Sequence, residues 1–326
     1  MSNLNWSPSS LPSLNGRTYL VTGGNTGVGY WTVYHLALHG ATVYMTSRSE
    51  EKGSSAIAAI KSSIENTNKD LTPQIHLVVM DLLSLRSVIA GVKRVRTECP
   101  QLHGIVNSAG IMATPYLMSE DSYESQFQTN YISHWLLTYH LLPLLESTAS
   151  LCSAGTVRIV NVSSIGHNAA LKEGITFEDT SLRDKFTFRR YAQSKLANIL
   201  HANALHSRYT HTPATGGHNG EQKPQIWAIS LHPGNVDTQL NTNSWGSSIT
   251  PILRCMGVYI TPEQGSFNSL WAVAGDEVRQ EMSGKYFVPV GKEKKPSQLA
   301  MDSHLGRRLW QWTESEMRAK GFLDAL

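Results

Sequence analysis

The sequence predicts an α/β fold, in which a single doubly wound parallel sheet carries helices on both faces. Three observations predict it. Short apolar runs rich in β-branched residues alternate with longer stretches that have a helical pattern. Apolar runs of this kind are typical of strands buried on both faces of a parallel sheet. The chain shows no internal repeat, so consecutive strand–helix–strand units are the simplest architecture that accounts for the alternation.

The predicted elements follow one another in the order that such a fold requires. Strands are expected at 17–21, 41–45, 75–80, 104–106, 157–162, 225–231 and 285–290. Helices are expected at 28–39, 50–66, 85–96, 122–146 and 191–209. Gly40 stands where a helix C-cap favours glycine. A break at Pro143 is left open, because proline interrupts helices.

Composition and charge exclude several classes of protein. The chain has 326 residues with 25 glycines and 13 prolines, an ordinary level that excludes collagen-like and disordered chains. A formal net charge of +3 indicates neither a nucleic-acid partner nor an anionic membrane surface. Cys99, Cys152 and Cys255 lack metal-ligand spacing, so no metal site is predicted. No segment approaches the ~18 apolar residues of a membrane span, so we expect no span and a cytoplasmic location.

One domain is expected to occupy most of the chain. Residues 1–14 are interpreted as a polar N-terminal extension and residues 15–326 as a single domain. Turn-forming residues at 210–224 predict a surface loop. Residues 165–190 and 235–262 interrupt the alternation with aromatic and apolar side chains, which we interpret as lid insertions beside a substrate. Packing of these insertions onto the domain, without a role in binding, is the alternative.

A glycine-rich segment, Thr-Gly-Gly-Asn-Thr-Gly-Val-Gly at 22–29, separates the first strand from the first helix. Glycine lets a backbone approach a pyrophosphate closely, and a helix N-terminus supplies free N–H groups and a positive dipole end. A tight structural turn would also use glycine, but the strand–loop–helix context favours dinucleotide binding. The expected cofactor contacts in this segment are Gly23, Asn25, Thr26, Gly27, Val28 and Gly29.

Tyr191 and Lys195 stand near the start of the longest predicted helix. Residues four positions apart share one helix face, so the two side chains point the same way. Hydride transfer to a carbonyl leaves an alkoxide that needs a proton. A phenol can supply it, and a nearby ammonium lowers the phenol's pKa from about 10. The Tyr-x-x-x-Lys pattern occurs by chance on many helices, so its weight comes from its combination with the glycine-rich segment.

The spacing Thr-Gly-x-x-x-Gly-x-Gly, followed by Asn107-Ser108-Ala109-Gly110 and by Tyr191-x-x-x-Lys195, resembles the short-chain dehydrogenase/reductase family over about residues 14–290. The resemblance implies a Rossmann-type fold and an oxidoreductase of class EC 1.1.1.-. It implies that Ser164 hydrogen-bonds the substrate carbonyl, with Ser163 as a structural neighbour. It also implies that Tyr191 is the acid or base, that Lys195 lowers its pKa and binds the ribose, and that Asn130 completes a proton relay.

The end of the second strand bears on which nicotinamide cofactor is used. An Asp or Glu there would bind a free ribose 2′-OH, but the chain has Ser47 and Arg48, which suit a 2′-phosphate. The residues therefore favour NADP(H), with a solvated surface charge as the alternative for Arg48. Many NADP-preferring relatives carry a second basic residue where this chain has Asn25 or Thr26. The resemblance implies further cofactor contacts at Asp81, Leu82, Asn107, Ala109, Gly110, Tyr191, Lys195, Pro233, Gly234, Val236 and Thr238.

The 27 positions between Ser164 and Tyr191 exceed the gap in much of the family. The segments Tyr-x-x-Ser-Lys-Leu-Ala-Asn at 191–198 and Thr-Pro-Glu-Gln-Gly at 261–265 resemble the retinol-dehydrogenase-like and WW-domain-oxidoreductase-like branch. That branch often carries such an insertion and often reduces apolar aldehydes and ketones. We therefore expect a small hydrophobic carbonyl or alcohol substrate. The long helices at 122–146 and 191–209 suggest a homodimer, as in many relatives. Two alternatives stay open: a cofactor-gated binding or scaffold protein, and a non-redox biosynthetic enzyme that uses the same NADP(H)-binding fold.

Overall fold

The computed structural model describes residues 6–210, 225–236 and 259–326. Their strands form one sheet. They are β1 (Thr18–Val21), β2 (Thr42–Ser47), β3 (Gln74–Val79), β4 (Gly104–Asn107), β5 (Arg158–Val162), β6 (Trp227–Leu231), β7 (Tyr286–Val288) and β8 (Lys292–Glu293). The strand order is β3-β2-β1-β4-β5-β6-β7-β8. Every neighbouring pair is parallel except β7 with β8, which is antiparallel.

The strand order turns back between β1 and β4, and this reversal positions the site. Chain crossovers leave the sheet in opposite directions on the two sides of such a point, so a crevice opens at the carboxyl ends of the strands. Two clusters of buried apolar residues lie against the sheet. The predicted fold class, a doubly wound Rossmann-type sheet with helices on both faces, is confirmed.

The principal helices of the described residues are α1 (Gly27–Leu38), α2 (Glu50–Thr67), α3 (Leu85–Glu98), α4 (Ser133–Ser150), α5 (Thr187–Tyr209), α6 (Pro262–Ala274) and α7 (Ser303–Ala319). A short helical turn, Ser125–Phe127, and a π-helical turn, Gln128–Ile132, lead into α4. No helix among the described residues combines the length and the apolar character that crossing a membrane requires.

The observed helices decide the break left open at Pro143, include α6, which the sequence did not predict, and differ from the predicted ones in further places. Pro143 lies inside α4 without ending it, because the flanking turns are buried in the core and tertiary packing outweighs the local preference. α5 begins at Thr187, four residues before the predicted start. A short helix, Gln298–Met301, and α7 extend the fold beyond the last predicted strand.

Helix α7 covers the face of α4 and α5. Its Leu309 and Trp310 belong to the same buried cluster as Trp135 of α4, and the Trp135 and Trp310 rings meet edge to face at 5.2 Å. The hydroxyls of Tyr131 and Thr313 form a hydrogen bond of 2.7 Å. The surface through which a homodimer was expected is therefore occupied by a helix of the same chain.

The described part of the N-terminal extension also packs on the domain. Trp6, Leu11 and Leu14 are buried in the second cluster, and Trp6 contacts Phe267 of α6 edge to face. Polar residues surround these three side chains in the sequence, and burial of the apolar ones ties the segment to the sheet.

Candidate active site

A cleft of about 1490 Å³ opens at the carboxyl ends of the central strands. Its walls come from the loop after β1, the ends of β2 and β3, the segment after β4, the loop after β5, the start of α5 and the loop after β6. The predicted residues that line it are Gly23, Asn25, Thr26, Gly27, Val28, Gly29, Ser47, Arg48, Asp81, Leu82, Ala109, Gly110, Ser164, Tyr191, Lys195, Pro233, Gly234 and Val236.

The glycine-rich loop, the cradle expected for a pyrophosphate, packs too closely against its neighbours to admit side chains at Gly23 and Gly29. Gly23 has a φ of +65°, a conformation that favours glycine. A Cβ on Gly29 would lie 2.4 Å from the carbonyl oxygen of Gly23, so the helix and the loop touch backbone to backbone there. Thr26 caps α1 without a side-chain hydrogen bond, and the first turn of α1 holds no acidic residue. The free N–H groups and positive dipole end of α1 thus face a cavity that fits a pyrophosphate.

Thr22 ties this loop to the segment after β4. Its hydroxyl accepts hydrogen bonds from the backbone N–H groups of Ser108 at 2.9 Å and Ala109 at 3.0 Å. The same hydroxyl contacts the Nε2 atom of His134 at 2.8 Å. One buried threonine therefore sets the distance between two neighbouring walls of the cleft.

The end of β2 presents one buried and one exposed polar side chain. Ser47 is buried, and its hydroxyl donates to the carbonyl oxygen of Ser49 at 2.8 Å. Arg48 is exposed on the rim and has no hydrogen bond or ion pair within the described ranges. Asp81, at the end of β3, accepts from the Leu83 backbone N–H at 2.9 Å. A free guanidinium on the rim is well suited to a phosphate.

Ser164, Tyr191 and Lys195 meet on the opposite wall. Ser164 follows β5, and its hydroxyl accepts from the Gly166 N–H at 3.0 Å. Lys195 lies one turn after Tyr191 on α5, and its Nζ is 5.7 Å from the centre of the Tyr191 ring. Lys195 Nζ donates to the carbonyl oxygen of Val162 at 3.0 Å, while Ser163 donates to the carbonyl oxygen of Lys195 at 2.7 Å. These bonds fasten α5 to the end of β5.

Burial sets the protonation of both groups on α5. It raises the pKa of Tyr191 to about 12, while a side-chain hydrogen bond with Ser164 acts in the opposite direction. Burial lowers the pKa of Lys195 to about 8. The pKa of Tyr191 thus moves upward in the chain alone, because burial disfavours the phenolate more than the hydrogen bond with Ser164 favours it. The lowering expected from Lys195 together with a cationic nicotinamide stays a prediction for the cofactor complex.

Asn130 lies behind this wall, in the π-helical turn Gln128–Ile132. Its side-chain amide holds both backbone groups of Ile111: Oδ1 accepts from the N–H at 2.8 Å, and Nδ2 donates to the carbonyl at 2.9 Å. Nδ2 also donates to Ser194 Oγ at 2.9 Å. A Cβ on Gly110 would lie 3.1 Å from Asn130 Oδ1 and 3.3 Å from Lys195 Nζ, so both side chains flank the same glycine.

One predicted cofactor contact is placed differently, and a second lies outside the described residues. Asn107 is buried beneath the cleft, where its Nδ2 donates to Asn161 Oδ1 at 2.8 Å. Its side chain therefore supports the sheet beneath the site and does not line the cavity. Thr238 lies outside the described residues, as does most of the 235–262 insertion.

The sequence reasoning missed several residues that support the site. Glu124 and Arg190 form a buried ion pair at 3.5 Å, which holds the first turn of α5 to the segment before Asn130. Gln126 bridges the Ala113 N–H at 2.9 Å and the Thr187 carbonyl at 3.2 Å. The only available signal was the position of Arg190 next to Tyr191.

Comparison with known proteins identifies the family. A family model described as short chain dehydrogenase matches residues 17–177. The short-chain dehydrogenase/reductase drtF of Aspergillus calidoustus is 48% identical over 322 residues, which cover 97% of this chain and 98% of that protein. The chain belongs to the short-chain dehydrogenase/reductase family. The expectation drawn from the motifs at 22–29, 107–110 and 191–195 is confirmed, and with it the assignment to a family of oxidoreductases.

Two further relatives show how widely the family extends. The chloroplastic short-chain dehydrogenase TIC 32 A of Brassica napus is 32% identical over 299 residues, which cover 91% of this chain and 87% of the relative. Among solved structures, an uncharacterised protein from Mycobacterium paratuberculosis has a TM-score of 0.70 and 28% identity. That match covers 96% of this chain and 97% of the other.

Within the described ranges, no group of three or more His, Cys, Asp or Glu side chains is arranged to hold a metal ion.

Proposed function

We propose that the protein is an NADP(H)-dependent oxidoreductase that transfers a hydride between the nicotinamide and a hydrophobic carbonyl compound or alcohol. The observation that carries the proposal is the meeting of two sets of residues in one cleft. The glycine-rich loop forms one wall, and Ser164, Tyr191 and Lys195 lie on the other. A protein that only senses the cofactor has no need of a buried tyrosine and lysine beside a serine hydroxyl, because burying an ionisable group costs free energy.

The residues of the cleft fit a phosphorylated dinucleotide. The backbone N–H groups at the start of α1 would hold the pyrophosphate, with Gly29 allowing the close approach. Arg48, free on the rim, would bind a 2′-phosphate, and Asp81 would lie beside the adenine. When bound, the nicotinamide supplies the hydride to a carbonyl or accepts it from an alcohol.

The chain's own residues would handle the proton. The Ser164 hydroxyl would donate a hydrogen bond to the substrate oxygen, and the Tyr191 hydroxyl would transfer its proton to that oxygen as negative charge develops there. Because the pKa of Lys195 is about 8, its amine is mostly charged at neutral pH and stabilises the phenolate that Tyr191 leaves behind. Asn130 would hold the Ile111 backbone on the floor of the cleft.

Carbonyl reduction is the favoured direction. A tyrosine whose pKa is raised to about 12 is protonated at neutral pH. The protonated form is the one that reduction consumes, whereas alcohol oxidation needs the phenolate. A protonated Tyr191 therefore supports carbonyl reduction as the proposed direction.

The substrate side of the cleft is apolar. Its lining beside the catalytic wall includes Ile111, Met112, Ile165 and Phe188, and Phe186 stands 76% exposed two residues before Phe188. Such a lining favours a hydrophobic aldehyde or ketone over a sugar or another strongly polar compound.

The test is NADPH oxidation, followed at 340 nm, across apolar aldehydes, aryl ketones, quinones and steroids. NADH and the Tyr191→Phe protein serve as controls. Turnover that requires both NADPH and Tyr191 supports the proposal. Product formation without net NADPH consumption would favour the non-redox enzyme instead. Cofactor binding without turnover of any compound would favour the binding or scaffold protein.

Two finer points belong to the same proposal. We propose a cytoplasmic location. Imaging of a fluorescent fusion tests it, and the test matters because one relative is named as chloroplastic.

We also propose a homodimer. Because α7 covers the joint face of α4 and α5, we expect the two protomers to meet through another face. Light scattering on the purified protein tests the second point, against a monomer mass of 36.0 kDa.

A further inference from the structure

A histidine outside the predicted site connects two walls of the cleft. His134 lies one helical turn after Asn130, in the first turn of α4, and is buried together with Asn130 and Thr22. Its Nδ1 is 3.0 Å from the carbonyl oxygen of Asn130. Its Nε2 is 2.8 Å from the hydroxyl of Thr22. Both ring nitrogens are therefore occupied, one on the catalytic side and one on the cofactor side.

The partners of His134 determine which nitrogen carries the proton. The carbonyl oxygen of Asn130 can only accept, so Nδ1 is the donor. Nε2 then accepts from the Thr22 hydroxyl, whose oxygen already receives two backbone N–H groups, those of Ser108 and Ala109. The Val106 carbonyl oxygen also lies 3.5 Å from the Thr22 hydroxyl, but His134 Nε2, at 2.8 Å, is the nearer acceptor. Burial lowers the pKa of His134 to about 4, which keeps the ring neutral at physiological pH.

These contacts close into a ring of hydrogen bonds. Thr22 holds the segment after β4 at Ser108 and Ala109, and Asn130 holds the same segment at Ile111. His134 joins Thr22 to Asn130 and so completes the ring. Residues 108–111 line the cleft between the glycine-rich loop and Lys195. The ring therefore holds both ends of residues 108–111, which form the floor of the cleft between its two walls.

We propose that His134 is a positioning residue that sets the floor segment 108–111 and Asn130 in the geometry that cofactor binding and proton transfer require. The proposal rests on the proposed oxidoreductase function for its effect on turnover. The hydrogen-bond ring itself can be tested without it. Each of the two bonds of His134 has its own consequence: the bond to Thr22 supports the cofactor side, and the bond to Asn130 supports the catalytic side.

The experiment compares His134→Leu with His140→Leu. His140 is a matched control, because it is a buried histidine on the same helix whose Nε2 contacts the Phe322 carbonyl at 2.8 Å, away from the cleft. Two further variants separate the bonds. The amide of His134→Asn can still donate to Asn130, and that of His134→Gln can still accept from Thr22. The readouts are amide hydrogen exchange at residues 108–111 without ligand, the Kd for NADPH, and kcat.

We expect His134→Leu to speed exchange at 108–111 about tenfold, to weaken NADPH binding about tenfold and to lower kcat about tenfold, because it leaves buried polar groups unpaired. His140→Leu should leave all three within about twofold, whatever it does to Tm. His134→Asn should restore kcat more than Kd, and His134→Gln should restore Kd more than kcat.

Equal effects of the two leucine variants on exchange would overturn the proposal, as would equal rescue by Asn and Gln. If His134→Leu does not fold, His134→Asn and His134→Gln carry the exchange test. Because only glutamine keeps the bond to Thr22, exchange at Ser108 and Ala109 should be faster in His134→Asn than in His134→Gln. A wild-type protein that binds neither NADPH nor NADH would contradict the proposed function, while the exchange comparison would still decide whether the ring exists.

Discussion

The two walls of the cleft are built on different physical principles. The glycine-rich wall, residues 22–30 with 46–48, consists of backbone at a helix N-terminus and of an arginine exposed on the rim. The catalytic wall, residues 162–166 with 188–195, carries a tyrosine and a lysine that are buried and have displaced pKa values. On the proposed function, one wall would bind the cofactor through shape and exposed N–H groups. The other would obtain its chemistry from ionisable groups that the fold removes from water.

This difference predicts which property a substitution on each wall should change. Changes on the glycine-rich wall should alter cofactor affinity and leave the proton chemistry intact. Changes on the catalytic wall should alter kcat and, because buried ionisable groups are costly, should also change the stability of the fold.

Tyr191→Phe should produce the largest effect. Without the hydroxyl, no group remains to protonate the alkoxide, and general acid catalysis is worth roughly 10²- to 10⁴-fold. We expect kcat to fall by about that factor, while the Kd for NADPH changes less than about threefold, because the ring still fills its place. Steady-state kinetics with NADPH titration measures both. Retention of most of the turnover would remove Tyr191 from the proposed mechanism.

Lys195→Met should stabilise the protein at neutral pH while abolishing activity. Burial lowers the pKa of Lys195 from 10.5 to about 8, a difference that corresponds to about 3 kcal/mol. The unfolded chain binds a proton here between pH 8 and 10.5 and the folded chain does not, so the wild-type free energy of unfolding should rise with pH across that window. Below pH 8 the folded state carries the full free-energy cost of burying the charged amine. Methionine has a similar shape and removes that cost.

Urea unfolding of both proteins at pH 7 and pH 10 measures this effect. The Met variant should be more stable at pH 7, and its advantage should shrink at pH 10. Asn198, whose Nδ2 also donates to the Val162 carbonyl at 3.1 Å, keeps that oxygen paired in the variant. A Met variant that is less stable at pH 7 would show that the charged amine contributes more than its burial costs.

The same contrast explains what could be predicted from the sequence. The alternation of apolar runs and helical stretches predicted the fold class. The glycines at 23, 27 and 29 and the Tyr191–Lys195 spacing are local features that predicted part of the cleft lining, and the resemblance to the family implied the rest. The rise of the Tyr191 pKa in the chain alone could not be predicted, because burial is a property of the assembled fold. The π-helical turn around Asn130 was not predicted either, and the Asn130 side chain within it is held by Ile111, which is 19 residues away in the sequence.

Two features of the helices have the same origin. Helix α4 continues through Pro143 because the core holds the turns on both sides. Helix α7 does have an amphipathic pattern, with Leu305, Leu309 and Met317 buried on one face. Its partner, the joint face of α4 and α5, exists only after the sheet has formed.

Gly29→Ala tests the glycine-rich wall with an effect smaller than that of Lys195→Met. The added Cβ would lie 2.4 Å from the Gly23 carbonyl oxygen, so loop and helix must separate. Such overpacking costs about 1–3 kcal/mol, here in NADPH binding and in unfolding. Gly306→Ala on α7 is the control, because its Cβ would meet nothing closer than 3.7 Å. Unchanged NADPH affinity in Gly29→Ala would show that the cofactor does not use this cradle.

Arg48→Ala should have the smallest effect on NADPH binding, and it should separate NADPH binding from NADH binding most clearly. Loss of a charge-assisted bond to a 2′-phosphate should weaken NADPH binding by about 1–2 kcal/mol, or roughly 5- to 30-fold, while NADH binding stays unchanged. Arg94→Ala removes the same charge from helix α3, where Arg94 pairs with Glu98, and serves as the control for overall electrostatics. Fluorescence titration of both variants with NADPH and with NADH measures these affinities. If Arg48→Ala weakens NADH as much as NADPH, the rim arginine acts on a part that both cofactors share. The preference for NADP(H) would then have to come from another residue of the glycine-rich wall.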